Sequence, residues 1–263
     1  MSFSLDSWPA KFAILGLLLA LRYALTFKVQ AQGGKPSALL QSGRELLDSA
    51  VLTLGLVFLL LQPFIAQAYW IPTGSMENTL EVGDRMLVNR TAYPDGAADS
   101  QDVVVFTANE DWAHPMPPEG AVENAVRTFG DLTGIGRSHE QALVKRVVGT
   151  AGQTVECCTA EGAVTVDGEP VDEPYIHNDL QFIRDELDCE SEVMSARCFG
   201  PVTVPEDSML VLGDHRSNSA DSVIACRGIP ADQAGDCARF VTREDIVGEV
   251  FVTVWPPTHW GVH

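Results

Sequence analysis

Apolar and polar positions alternate in two distinct rhythms along this chain. Residues 50–71 read AVLTLGLVFLLLQPFIAQAYWI without one formal charge, a run long enough to cross a hydrocarbon core of about 30 Å as a helix. Pro63 would kink such a helix without forbidding it, and Tyr69 and Trp70 fall where an aromatic belt meets the interface. An earlier stretch over residues 11–28, KFAILGLLLALRYALTFK, is shorter and carries Arg22. It is read as a first span; a re-entrant or interfacial helix and an uncleaved signal-like segment are the alternatives, and TFKVQAQGG is a weak cleavage site. If both segments cross, the loop holding Lys28, Lys35 and Arg44 faces the cytoplasm. Residues 72–263 then lie outside it.

Beyond Pro72 the rhythm shortens. RMLVNR, DVVVF, LVKRVVG, AVTVDGEPV, GPVTVPEDSMLVLGD and IVGEVFVTVWP are valine-rich runs separated by Gly, Pro and Asp, the pattern of antiparallel strands. The Asp-Gly of VDGEP suits a tight hairpin. One helix is expected between Ala121 and Leu132, where Val122, Ala125, Val126, Phe129 and Leu132 recur at helical spacing. Polar stretches near 107–120, 177–200 and 223–240 read as exposed loops, with insertions near 107–140 and 157–205. The expected architecture is a mainly β, antiparallel catalytic-size domain over 72–263, preceded by a membrane anchor over 1–71 with helices at about 11–28 and 50–71.

Charge narrows the partners. The formal net charge is -19, from 36 acidic against 17 basic residues, which argues against nucleic acid, since phosphate binding needs clustered Lys and Arg. Cys189 with Cys198 and Cys226 with Cys237 bracket loops of disulfide-closing size, in keeping with an oxidising compartment. Zinc is the rival reading, but no CxxC is present. Adjacent Cys157 and Cys158 are not expected to pair with each other; buried thiols are the alternative.

Ser75 alone is a weak signal, because serine after glycine is an ordinary turn residue. Four ordered segments change that: IPTGSMENTL (71–80), VGDRMLVNR (82–90), LVKRVVGTAGQTVE (143–156) and VLGDHRSNSADS (211–222). Together with GEVFVTVWPPTHWG (248–261), this set resembles the boxes of bacterial type I signal peptidases, membrane-bound serine proteases with a Ser/Lys dyad. The chemistry is coherent without the name. A serine hydroxyl needs a base, and a lysine serves only as the neutral amine, which burial favours. Lys145 follows Leu143 and Val144 in an apolar strand, and the useful range for such a base is about 7 to 8.

The resemblance implies that Ser75 is the acylated nucleophile, Lys145 the general base and Ser219 the hydroxyl that orients the amine. Thr73 would share an oxyanion hole with the Ser75 N–H. Asp221, Arg146 and Asp214 match supporting polar positions, and Ile71, Met76, Leu80, Leu143 and Val144 match the lining of shallow pockets for small side chains, with core packing as the plain alternative. The implied substrates are exported preproteins with an Ala-x-Ala signal-peptide end, met at the bilayer surface on the extracytoplasmic side of the cytoplasmic membrane. No metal or organic cofactor is implied, and a monomer is expected. A specialised relative with few surface or pilin-like substrates is equally compatible.

Three departures stand out. Val223 follows ADS where the family often has Arg, so Asp221 must pair with Arg146 or another cation. GTAGQT replaces the usual Gly-Leu-Pro-Gly-Asp turn, and VIACRGIPADQAGDCARF replaces an aromatic-glycine segment. Two rival functions remain. A Ser-His-Asp hydrolase could draw on His114, His139, His177 or His215, but His215 adjoins Asp214 and sequence neighbours tend to point apart. A tethered β scaffold would have no need of a buried lysine beside a serine; the plain alternative for Lys145 is a strand-edge surface lysine. His259 and His263 are expected to be solvated.

Overall fold

The computed structural model describes residues 8–31, 38–57, 66–94, 98–113, 120–133 and 141–263. The chain forms two compact units, residues 1–67 with 119–139, and residues 68–118 with 140–263.

The first unit is helical: α1 (Trp8–Ala31), α2 (Ala38–Leu56) and α3 (Ala121–Thr133). Arg22 of α1 forms an ion pair with Asp48 of α2, while Leu17, Tyr23, Phe27 and Leu52 stand exposed. The expected helix at 11–28 lies inside α1, and α3 covers the helix expected between Ala121 and Leu132. The expected helix at 50–71 needs correction. Helix α2 ends at Leu56, residues 58–65, Pro63 among them, lie outside the described residues, and Ala66–Trp70 is a strand, β1. The backbone around Tyr69 and Trp70 is satisfied by a neighbouring strand instead of by helical bonds, and the pairing continues as Ile71 N donates to Asp84 O (2.9 Å). Arg44, expected in the loop, lies within α2, and Lys35 lies outside the described residues. Among the described residues no helix is long and apolar enough to cross a membrane.

The second unit is built of β2 (Arg85–Asn89), β3 (Val103–Thr107), β4 (Ala142–Gly149), β5 (Thr154–Cys157), β6 (Val164–Val166), β7 (Glu169–Pro170), β8 (Phe199–Thr203), β9 (Ser208–Leu212), β10 (Val241–Thr242), β11 (Ile246–Trp255) and β12 (Gly261–Val262). The large sheet runs β1-β2-β11-β3-β4-β9-β10, with β12 also on β11; the small one runs β7-β6-β5-β8. The pairings among β2 to β12 are antiparallel, as the sequence pattern predicts. Each quoted valine run is found as a strand or hairpin, and Asp167 and Gly168 take positive φ (53° and 83°) at the expected β6–β7 turn. The stretch 157–205 holds β6, β7 and β8.

Why β3 is so uniformly apolar follows from its place. Val103 and Val105 pack with Ile71, Met76, Leu80 and Met86 on one side of the sheet, whereas Val104 and Phe106 pack with Trp112, Val147 and Val211 on the other. Both faces are covered, so no polar alternation survives. A third cluster joins the two sheets, with Val148, Leu210 and Leu212 against Val155, Val164 and Phe199.

Cys189–Cys198 and Cys226–Cys237 are disulfides, as expected. Cys157 and Cys158 also form one, contrary to expectation; the peptide bond between them is cis, which sets their Cα atoms 3.0 Å apart.

Candidate active site

Ser75 sits in a turn between β1 and β2 whose shape is fixed by its apolar neighbours. Met76 and Leu80 are buried beside Ile71, Met86 and Val88, and Glu77 N donates to Gly74 O (3.2 Å) while Leu80 N donates to Met76 O (2.8 Å). The serine is thereby held 9% exposed.

Lys145 approaches from β4 and is 4% exposed. Its Nζ lies 2.7 Å from Ser75 Oγ and donates to Val144 O at 2.9 Å. Burial lowers the amine pKa to about 8; the Asp221 charge opposes that shift, Arg239 adds to it and Asp214 opposes it. Among the described residues the amine makes no ion pair. A hydroxyl in contact with an amine that loses its proton near neutrality is an activated nucleophile.

Arg146, the next residue, is placed in the opposite situation. Its guanidinium grips Asp214 with two bonds, Nε to Oδ1 (2.9 Å) and Nη2 to Oδ2 (2.6 Å), and stacks 3.8 Å from the Tyr175 ring centroid. Nη1 donates to Gln101 O (2.8 Å), and Thr79 Oγ1 donates to the same Asp214 carboxylate. Asp214 therefore ties β4 to the serine turn and to the segment after β9.

Asp221 is fully buried, and its partner is neither Arg146 nor a residue at position 223, which is valine. Arg227 reaches it (Nη2 to Oδ2, 3.1 Å), and Arg239 Nε donates to its backbone carbonyl (3.1 Å). Both arginines belong to the departing segment 223–240, whose ends the Cys226–Cys237 disulfide draws together. Arg146 is unavailable because Asp214 already occupies its fork. Nothing in the sequence pattern marks Arg227 or Arg239.

Ser219 is 5% exposed and its Oγ is buried without a hydrogen-bond partner; the expected bond to Lys145 is not made here. Gly213 explains how Ser219 comes so close: a Cβ there would lie 2.2 Å from Ser219 Oγ and 2.6 Å from Ser75 O. Thr73 is exposed at the head of the turn. Of the expected pocket residues, Ile71, Met76, Leu80 and Val144 share one cluster, but Leu143 packs with Phe106 and Trp112 in another. Alternation along β4 sends neighbours to opposite faces, so Leu143 and Val144 join different clusters.

Among the described residues no histidine hydrogen-bonds the Ser75 hydroxyl. His215 Nδ1 is 2.6 Å from Glu77 Oε2 and 3.2 Å from Gly74 O, while its backbone N donates to Ser75 O (3.1 Å). His114 and His139 lie outside the described residues. His259 and His263 are exposed as expected, yet each has a partner, Asp84 and Thr253. Among the described residues Glu77, His177 and His215 bring three ligand atoms close enough to share a metal ion.

Comparison with known proteins identifies a family. The family described as "Signal peptidase, peptidase S26" matches residues 43–255. A probable signal peptidase I of Mycobacterium leprae is 32% identical over 97% of this chain and 91% of its own length. A signal peptidase I of Mycobacterium tuberculosis is 34% identical over 83% of this chain and 74% of its own. The crystal structure of a signal peptidase I from Enterococcus faecalis aligns with 59% of this chain and 97% of its own at 18% identity and a TM-score of 0.31, too remote to carry an argument.

Proposed function

The chain belongs to the signal peptidase, peptidase S26 family, and from that premise we propose that it removes signal peptides from exported preproteins with Ser75 as nucleophile and Lys145 as base. The observation that carries the mechanism is the 2.7 Å contact between Ser75 Oγ and a buried amine whose pKa is lowered to about 8.

Neutral Lys145 takes the Ser75 hydroxyl proton as Oγ attacks the scissile carbonyl carbon. The negative oxygen that forms is received by the Ser75 backbone N–H and the Thr73 hydroxyl. Lys145 returns its proton to the departing amine, leaving an ester on Ser75. A water then gives its proton to Lys145 and attacks the ester, the C–Oγ bond breaks as Lys145 returns that proton to Ser75 Oγ, and the signal peptide leaves with its new carboxyl group. Asp214, held by Arg146, keeps turn and strand in register, and Ser219, with its unpartnered hydroxyl beside Gly213, is poised to accept or orient the amine as it changes charge. Every named group comes from one chain, so a monomer suffices.

An N-terminal anchor fits the same reading. The uncharged run that begins at Ala50 and the exposed apolar side chains of α1 and α2 support insertion in the cytoplasmic membrane with the β unit outside. Labelling of single cysteines at 28–48 from outside intact cells would overturn that orientation.

The decisive experiment incubates the detergent-solubilised chain with a preprotein whose signal ends in Ala-x-Ala and sequences the product's new N-terminus. Cleavage after the second alanine that vanishes in Ser75→Ala and Lys145→Ala is expected. Cleavage surviving Lys145→Ala would sink the base assignment.

A further inference from the structure

Beside the serine turn lies a side-chain cluster that the peptidase mechanism does not use. Glu77, His177 and His215 each offer one ligand atom, and these atoms lie within 4.8 Å of one another. The two histidines are fixed by backbone, since their residues form a parallel bridge and His177 N donates to Asp214 O (2.8 Å). Their rings meet edge to face at 5.1 Å instead of stacking. The carboxylate is folded back onto them. A Cβ on residue 74 would lie 2.5 Å from Glu77 Oε1 and would push the carboxylate away, so the glycine leaves room for it.

We propose that Glu77, His177 and His215 form a binding site for a zinc-class divalent cation which, when filled, clamps the turn carrying Ser75 and slows the peptidase. Two imidazoles and one carboxylate make the donor set that zinc takes with a fourth position left open, whereas magnesium and calcium prefer oxygen alone. Zinc bonds of about 2.0 to 2.2 Å require the three atoms to close inward by roughly an ångström, a movement within reach of side-chain rotation. Both ends of the clamp act on the nucleophile's backbone. Glu77 follows Ser75 by two positions, and the His215 N–H is bonded to Ser75 O at 3.1 Å.

The binding half stands apart from the peptidase reading; only the slowing of cleavage rests on it. Full-length protein in detergent, stripped with EDTA, is titrated with zinc chloride in a calorimeter. About one zinc per chain is expected, with affinity at least about tenfold weaker in His177→Ala, His177→Gln and Glu77→Gln, unchanged in His259→Ala, and no response to magnesium. Circular dichroism confirms that each variant is folded. Absence of saturable zinc binding by the folded wild type, or equal binding in all three variants, overturns the site. In the preprotein assay zinc should slow the wild type several-fold, reversibly with EDTA, and leave His177→Ala unaffected. Zinc that binds but leaves cleavage unchanged overturns the clamp. A wild type that cleaves nothing indicts the peptidase reading while the titration still decides the site.

Discussion

Two neighbouring cationic residues in β4 meet opposite environments, and the difference suits one strand to supply both the proposed base and a brace. Around Lys145 Nζ the contacts are a serine hydroxyl and a backbone carbonyl, so burial has no contacting carboxylate to offset it and the amine gives up its proton readily. Around the Arg146 guanidinium a buried carboxylate meets the fork with two bonds, so the cation has a counter-ion in contact. Burial alone does not decide whether a cation stays charged; what touches it does.

The comparison breaks most visibly if the base is removed. Lys145→Ala should lower kcat by about 10²- to 10⁴-fold with the thermal midpoint nearly unchanged, and Ser75→Ala should abolish acylation. Next comes the brace: Asp214→Asn leaves Arg146 buried without its counter-ion and should cost about 3 to 5 kcal/mol of stability, read from urea unfolding of the β unit's fluorescence. A pH series sharpens the contrast. Only the neutral amine accepts a proton, so kcat/KM should rise with pH and level off above about 8. Stability carries the same sign, because between about pH 8 and the ~10.4 of free lysine the unfolded chain holds a proton that the folded one has lost, and raising pH through that window favours the folded state. The smallest effect belongs to Arg239→Gln. Arg239 helps to lower the Lys145 pKa, so its loss should move the activity profile modestly to higher pH, and an unmoved profile would remove Arg239 from the base's surroundings.

Much of the β unit was legible because its strands are valine runs punctuated by Gly, Pro and Asp, and because Ser75 and Lys145 sit in segments with distinctive neighbours. β1 was hidden for a physical reason: AQAYW prolongs an uncharged run, and hydropathy cannot separate the end of a helix from a strand that shares its composition. The partner of Asp221 was hidden for another. A buried ion pair depends on which cation the fold delivers, and Arg227 arrives on a loop shaped by a disulfide. Cys157 with Cys158 escaped because adjacency in a trans chain separates the two side chains. Leu143 and Val144 adjoin in sequence, yet the two-residue period of a strand sends them to different clusters.

Gly213 turns this geometry into a limit on how the sequence can drift. Every other amino acid brings a Cβ, and a Cβ at that position collides at once with Ser219 and with the carbonyl of Ser75. Neighbouring positions on the surface can wander through many residues one mutation at a time; position 213 has no such neighbouring steps, and a random library selected for activity should return glycine there as regularly as it returns the serine itself.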